Sequence, residues 1–268
     1  MFLCSPVANM PAMRIALLSD VHGNPLALDA VLADIQAQGG AEAGWLLGDY
    51  AAIGPDPIGA LERVAKLPNA HFIRGNTDRY LATSVRPGPT LEAAQAKPHL
   101  LPAMIELAQS FSWTQGVVTV TGWLEWLAAL PLEMRFTLPG GMRVLCVHAS
   151  PGTDDGDGMQ PVMSDAELGE VFASADADLV FVGHTHWPQD RMVNEMRIVN
   201  PGSVSNQFPP DLRASYVLLT ADETGYRLEH RRVDYDHEAV IAACERVRFP
   251  SGPYVTRFMR GENLPPWA

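Results

Sequence analysis

Residues 179–187 read Leu-Val-Phe-Val-Gly-His-Thr-His-Trp. The four apolar residues Leu179 to Val182 predict a short buried strand. Gly183 ends it and lets the chain turn sharply at a sheet edge. His184 and His186 then stand at the strand's carboxyl end, where open α/β sheets bind ligands. Two histidines in a loop are more often surface residues than ligands, although neutral imidazole is the commonest metal ligand. The rest of the chain decides between these, because the same pattern returns four more times.

Upstream, residues 142–147 (MRVLCV) form another apolar run, reached from a strand near 133–137 through a Pro139-Gly140-Gly141 turn. They end in His148-Ala149-Ser150-Pro151. Closer to the N-terminus, three strand–helix units follow one another. Residues 14–19 (RIALLS) lead to Asp20-Val21-His22-Gly23-Asn24-Pro25, then to an amphipathic helix carrying Leu26, Leu28, Ala30, Val31 and Ile35 and stopped by Gly39-Gly40. Residues 43–47 (AGWLL) lead to Gly48-Asp49-Tyr50, then to a helix over 58–67 with Ile58, Leu61, Val64 and Leu67 on one face. Residues 70–73 lead to Arg74-Gly75-Asn76-Thr77-Asp78. Alternating strands and helices imply a largely parallel sheet whose strand ends share one edge. Asp20, His22, Asp49 and Asn76 are therefore expected to converge. Helix capping or turn formation accounts for any one such Asp or Asn, but poorly for all of them together with the histidines.

Residues 79–130 differ in character. Pro87, Pro89, Pro98 and Pro102 punctuate a stretch rich in Ala, Leu and Gln, with helices expected over 90–110 and 121–129. They form either a cap that shapes access to the site or a layer over one sheet face. The run Asp154-Asp155-Gly156-Asp157-Gly158 lacks the terminal glutamate of an EF-hand and is read as a solvated loop rather than a calcium site. A helix is expected over 164–174, short strands near 188–193 and 196–199, and a closing antiparallel pair over 216–219 and 226–232. Asn200-Pro201-Gly202-Ser203 is a turn, and Ser203 has no Gly-x-Ser-x-Gly elbow around it. The main domain is expected to span 13–235, with an extension over 1–12. A helix at 236–247 and a tail to residue 268 are read as peripheral.

The length of 268 residues suits one large α/β domain with a sizeable core. A net charge of −12 argues against a protein that grips a nucleic-acid backbone electrostatically. It leaves room for a small phosphorylated substrate, because bound cations reverse the sign locally. Cys4, Cys146 and Cys244 are scattered and odd in number, so neither a disulfide framework nor a cysteine zinc site follows. A cytoplasmic location is the default. The first twelve residues carry no basic cluster and no apolar run long enough for a signal peptide or a membrane span.

Collected, the strand-end residues are Asp20-x-His22, Gly48-Asp49, Gly75-Asn76-x-Asp78, His148 and Gly183-His184-x-His186. In this order they resemble the calcineurin-like metallophosphoesterase superfamily, from Met13 to about residue 235. Asp-x-His-Gly-Asn, Gly-Asp followed by Gly-Pro-Asp-Pro, His-x-Ser-Pro and Asn-Pro-Gly-Ser look like its small prokaryotic phosphodiesterase-type members. The resemblance implies an α/β fold, the four-layer α/β/β/α sandwich of two facing mixed sheets. The strand–helix order alone supports only a layered α/β fold. The resemblance further implies a metal-dependent phosphoesterase, foremost a phosphodiesterase, that attacks a phosphate ester with a hydroxide held between two divalent transition-metal ions. By the resemblance, Asp20, His22, Asp49 and His186 hold one metal. Asp49, Asn76, His148 and His184 hold the other, so Asp49 bridges, and Asp49 and Asn76 are catalytic. Two cations roughly 3.5–4 Å apart clamp the attacking and leaving oxygens of a phosphoryl transfer. Carboxylate and imidazole donors without thiolate suit Mn, Fe, Zn or Ni, with manganese favoured. The expected partner is a small phosphorylated substrate, with no stable nucleic-acid binding and no membrane association.

Two positions depart from the family pattern. Many members carry histidine after the motif asparagine, as a general acid or phosphate donor; here that place is Thr77. Many also carry an aspartate three residues after the bridging one, which orients that histidine; here it is Ala52. The two losses are consistent with each other. A threonine hydroxyl donates a hydrogen bond but is a poor acid near neutral pH, so Thr77 as a catalytic residue favours substrates with a good leaving group. Asn24 is a candidate phosphate donor, with a turn or cap role as the alternative. Arg74 is a candidate phosphate contact, with a salt bridge as the alternative. The competing reading is a weakly active or non-catalytic binding or scaffold protein on the same fold. Against it, all seven ligand positions hold a competent residue type. A metallo-β-lactamase-type hydrolase would need a His-x-His-x-Asp-His run, whereas His184-Thr185-His186 is followed by Trp187-Pro188-Gln189.

Overall fold

The computed structural model describes residues 12–83 and 85–268, so the extension over 1–12, with Cys4, lies outside the described residues except for its last position. The N-terminal half runs β1 (Met13–Leu18), α1 (Pro25–Ala37), β2 (Ala43–Leu46), α2 (Pro57–Val64), β3 (Ala70–Phe72) and α3 (Asn76–Ala82). A helical stretch follows, α4 (Leu91–Ala96), α5 (Leu101–Val120) and α6 (Leu124–Ala128). Then come β4 (Glu133–Thr137), β5 (Arg143–Val147), α7 (Asp165–Val171), β6 (Leu179–Val182), β7 (Gln189–Val193) and β8 (Met196–Asn200). β9 (Ala214–Asp222), β10 (Gly225–Val233), α8 (His237–Val247) and α9 (Gly252–Met259) complete the chain.

The strands build two five-stranded mixed sheets, ordered β10-β9-β1-β2-β3 and β4-β5-β6-β8-β7. Each has a parallel run, β1-β2-β3 in one, with antiparallel β9 beside β1, and β5-β6-β8 in the other, with antiparallel β4 and β7 on its two sides. Side chains on a strand alternate between faces, and here both faces are apolar. Ile15 and Leu17 of β1 and Leu179 and Phe181 of β6 meet between the sheets. Ala16 and Leu18 turn the other way, onto Leu28, Val31 and Leu61 of α1 and α2. Val180 and Val182 turn outward onto Leu168 and Phe172 beside α7. This double burial makes four layers, as expected. It also brings the carboxyl ends of β1, β2, β3, β5 and β6 to one edge, where the motif residues lie.

The stretch 79–130 covers a sheet face. Phe111, Val118 and Leu127 join Leu28 and Leu61 in the outer core. The helix expected over 90–110 is split, because Pro98 disfavours helical backbone at Lys97; Pro102 falls in the first turn of α5, where its missing N–H costs nothing. The C-terminal residues correct the sequence reading. α8 and α9 form a core of their own with Phe249, which meets Trp113 of α5, and the segment is no peripheral appendage. Amphipathic spacing in 236–247 shows that a face is buried but not against what. Among the described residues, no helix is long and apolar enough to cross a membrane.

Trp45, 3% exposed, stacks on Phe136 of β4 with ring centroids 4.2 Å apart and so joins the two sheets. Trp45→Ala removes that contact and opens a cavity between the layers. It is expected to lower the free energy of unfolding by about 3–5 kcal/mol, measured by chemical denaturation. A loss below about 1 kcal/mol would mean that the inter-sheet layer repacks around the cavity.

Candidate metal centre

The site is built by extending the parallel pair β1–β2 beyond its strands. The N–H groups of Asp20, His22 and Gly23 donate to the carbonyls of Gly48, Asp49 and Tyr50 at 3.1, 2.9 and 2.9 Å. Val204 and Ser205 donate to the carbonyls of Ser19 and Asp20, which ties in the turn after β8. Within this frame Asp20, His22, Asp49, His184 and His186 all have left-handed backbone, with φ between 48° and 68°. Asp and His are among the few non-glycine residues enriched there. Several glycines are required by space, Gly54 and Gly183 among them. A Cβ on Gly54 would lie 1.8 Å from the His22 carbonyl, and one on Gly183 would lie 2.0 Å from Ser19 Oγ.

The seven predicted ligand residues come together. His22 Nε2 lies 3.0 Å from His186 Nε2, and His186 Nε2 lies 3.2 Å from Asp20 Oδ1. His22 Nε2 is 3.7 Å from Asp20 Oδ1 and 3.8 Å from Asp49 Oδ2. On the other side, His148 Nε2 is 3.5 Å from Asp49 Oδ2 and 3.0 Å from Asn76 Oδ1. The rings of His148 and His184 pack edge to face at 5.2 Å. Two groups of candidate ligands share Asp20: Asp20, His22 and His186, and Asp20, Asp49 and His148.

Backbone carbonyls fix the tautomers. Nδ1 of His22, His148 and His186 faces the carbonyls of Ala52, Leu47 and Asn206 at 3.0, 2.6 and 2.8 Å. A carbonyl only accepts, so each Nδ1 carries the proton and each Nε2 presents its lone pair inward. His184 is turned over: Nε2 donates to the Gly156 carbonyl at 2.8 Å, and its buried Nδ1 has no partner. Asp20 Oδ1 is likewise buried without a hydrogen bond. A buried set of acceptors without donors fits divalent cations well. The electrostatics agree. Burial opposes charge on His148, yet the Asp49 carboxylate outweighs it and pushes His148 up to about 10. Burial likewise opposes charge on His186, and Asp20 raises it. Burial also opposes ionisation of Asp49, but His148 and His22 hold its carboxyl well below the usual range. The positions that protons take here are those that cations would take.

Several supports act through long-range partners that the sequence does not reveal. Asp78, fully buried, accepts from the N–H groups of Asp49, Tyr50 and Gly75 at 2.8, 3.0 and 2.9 Å, while Thr77 N–H donates to Asp49 Oδ1 at 2.9 Å. Burial, then the nearby Asp49 charge, raises the Asp78 acid to about 7 against the pull of the amides. The Tyr50 hydroxyl sits between the carbonyls of Leu46 and Ile73. Asn200 Nδ2 donates to the Gly183 carbonyl at 2.7 Å and to Thr185 Oγ1 at 3.0 Å, steadying the two-histidine loop. An aspartate within a family motif and an asparagine opening a turn were both visible, but not their long-range partners.

The remaining candidates are placed as follows. Thr77 lines the cleft beside the ligands, with Oγ1 buried and unpartnered. Asn24 caps α1, accepting from Ala27 N–H at 3.1 Å and donating to Ser205 Oγ at 2.9 Å, so the cap alternative is the one the structure shows. Arg74 is held by Asp154 at 2.7 Å, as is Arg79 at 2.8 Å, so the salt-bridge alternative applies. The acidic loop is corrected: Asp154 is 3% exposed between those arginines, and Gly156 and Asp157 reach the cleft. The cleft, 340 Å³, is also lined by Tyr254, Phe258, Pro266 and Trp267 from the supposedly peripheral tail.

Asp78→Ala leaves three buried amides without an acceptor. It is expected to cost about 2–5 kcal/mol of stability and to lower bound metal, followed by denaturation and elemental analysis. Full metal occupancy in a destabilised Asp78→Ala protein would restrict Asp78 to a folding role.

Comparison with known proteins places the chain. Residues 13–224 match the family model of the calcineurin-like phosphoesterase superfamily domain. An uncharacterised protein of Methanocaldococcus jannaschii is 28% identical over 256 residues, covering 90% of this chain and 96% of its own. The crystal structure of a metallophosphoesterase from Sphaerobacter thermophilus, 27% identical, superposes with a TM-score of 0.71 over 93% of this chain and 99% of that one. A hypothetical protein from Pyrococcus horikoshii, 21% identical, shares the fold at a TM-score of 0.75 over 95% of this chain and 100% of that one. On the family match over 13–224, this chain belongs to the calcineurin-like phosphoesterase superfamily.

Proposed function

We propose that the protein is a metal-dependent phosphoesterase, foremost a phosphodiesterase, acting on a small phosphorylated substrate. One observation carries this reading: the Nε2 atoms of His22, His148 and His186 and the oxygens of Asp20, Asp49 and Asn76 are linked by separations of 3.0–3.8 Å in a buried cluster, with the buried Nδ1 of His184 unpartnered. A scaffold on the same fold has no use for such a set. Asp20, His22, Asp49 and His186 would hold one divalent ion, and Asp49, Asn76, His148 and His184 the other, with manganese favoured among Mn, Fe, Zn and Ni. Such ions, when bound, acidify water and neutralise charge on phosphoryl oxygens. A soluble, cytoplasmic setting without stable nucleic-acid or membrane binding belongs to the same reading, supported by the net charge of −12.

The chain's own residues do the rest. Asp49 lies between the two halves of the set, within 3.8 Å of both His22 and His148. The Ala52 carbonyl holds His22 in its ligating tautomer. Thr77 Oγ1 is buried beside the Asp49 carboxylate, which its side chain helps to keep ionised, and would have to turn from it to donate to a substrate oxygen. It is too weak an acid to protonate a poor leaving group at neutral pH, which directs the site to esters whose leaving group departs as a stable anion.

Manganese-loaded protein is expected to hydrolyse bis-p-nitrophenyl phosphate faster than p-nitrophenyl phosphate. Asp49→Asn should lower the diester rate about 1000-fold or more, an effect of about 4 kcal/mol, and reduce the metal bound per chain. Full activity with two bound metals in Asp49→Asn would sink the assignment. Thr77→His supplies an acid at the position that lacks one and should raise turnover of phenyl phosphate by about tenfold or more. No change on any ester would remove position 77 from proton transfer.

A further inference from the structure

The ligand set forms only one side of the cleft. Another part of its lining is apolar: Phe208, after β8, and Tyr254, Phe258, Pro266 and Trp267, from α9 and the residues beyond it. The rings form a connected series that begins at a metal ligand. Ring centroids are 6.0 Å apart for His186 and Phe208, 5.3 Å for Phe208 and Phe258, 5.1 Å for Tyr254 and Phe258, and 6.0 Å for Phe208 and Trp267. These tilted and edge-on spacings are those at which aromatic quadrupoles attract. Phe258 is 4% exposed and anchors the wall, whereas Phe208, Tyr254 and Trp267 keep part of their surface open. Holding cations requires none of these rings. An apolar wall left against water beside a charged centre is costly unless a ligand covers it.

Asp157 and Gln160 also line the cleft. Gln160 Nε2 lies 3.4 Å from Asp157 Oδ1, so the two polar heads share one corner. A flat ring lying on the wall turns its polar edge toward groups that accept and donate, whereas an alkyl chain satisfies none of them. Among the described residues that line the cleft there is no lysine or arginine. A substrate with one phosphate finds its charge matched at the ligand set; a polyphosphate carries further charge to no cationic side chain.

We infer that the cleft takes a phosphodiester with a single phosphate whose retained substituent, the one that stays on phosphorus when the leaving group departs, is a flat aromatic or heteroaromatic ring, nucleobase or aryl, packed against Phe208 and Trp267. The inference rests on the phosphoesterase reading and makes the segment after α8 the element that selects substrate.

The test uses four p-nitrophenyl phosphodiesters that share a leaving group and differ in the other substituent: methyl, octyl, phenyl and thymidine 5′. With manganese-loaded protein, kcat/KM for the phenyl and thymidine esters is expected to exceed that for the methyl ester by about tenfold. Trp267→Ala, at a half-exposed position, should lower those two by about tenfold and the methyl ester by no more than about threefold, with Phe208→Leu as a second variant. Thymidine above phenyl identifies a nucleobase, and parity identifies any aryl ring; both support the inference. An octyl ester turned over as fast as the phenyl ester overturns it, as does an equal loss on all four esters in Trp267→Ala. Calorimetric titration with thymidine 5′-monophosphate against methyl phosphate separates this from the phosphoesterase reading. No turnover together with tighter, Trp267-dependent binding of the nucleotide removes the enzyme and keeps the aromatic subsite. Turnover without ring preference in rate or binding keeps the enzyme and removes the subsite, and neither turnover nor binding removes both.

Discussion

Four imidazoles whose lone pairs point inward, beside two carboxylates, make a cluster of acceptors that repel one another unless positive charge sits among them. Everything near the site serves to hold that arrangement. Carbonyls of Leu47, Ala52, Gly156 and Asn206 set which nitrogen carries each proton. Asp78 gathers the amides of the two turns that carry Asp49 and Asn76. Five ligand residues occupy left-handed backbone, a conformation that costs about 1–3 kcal/mol at each such residue and persists only where the surroundings over-determine it. The two sheets supply that rigidity, since each is buried on both faces and cannot relax toward the site without opening a core.

What could be read in the chain follows from what leaves a local mark. Apolar runs ending in Asp, His or Asn mark strand ends, and the order of the five motifs carries the family, so the sandwich and the clustering of the candidate ligand residues were legible. Asn24 before Pro25 has the form of a helix cap, and it acts as one. Backbone carbonyls that orient imidazoles have no side-chain identity and leave no mark. Neither does the pairing of Asp154 with Arg74 and Arg79, which joins residues 80 and 75 positions apart. The aromatics of the C-terminal segment were visible as residues. Their place against the cleft is set by how α9 packs on the Phe208 segment, which no periodicity within 252–268 encodes.

The two departures from the family pattern differ in kind. At position 52 the side chain is gone but the backbone still works, because the Ala52 carbonyl is what His22 uses. Alanine there leaves the ligand set intact. At position 77 the backbone also works, donating to Asp49, and only the side-chain chemistry has changed. Both substitutions spare the backbone contacts to the cluster and, in a phosphoesterase, would alter only what happens to the departing group. The cleft beside them is lined by aromatic rather than cationic side chains.

His22 and His186, 3.0 Å apart at their inner nitrogens, are separated by 164 positions in the chain, and Asn76 and His148 by 72. Four of the residues that meet here, Asp20, His22, Asp49 and Asn76, come from the stretch that builds most of the first sheet, and three, His148, His184 and His186, from the stretch that builds the second. An ion bound between them would act as a reversible cross-link closing loops of that length. For a permanent link across a loop of roughly 100 residues, the chain-entropy model gives about 5 kcal/mol of restriction on the unfolded state. The centre is thus a clasp between two halves that hold no complete site separately. On a ribosome it cannot close until Asn206, whose carbonyl orients His186, has been made and folded into place.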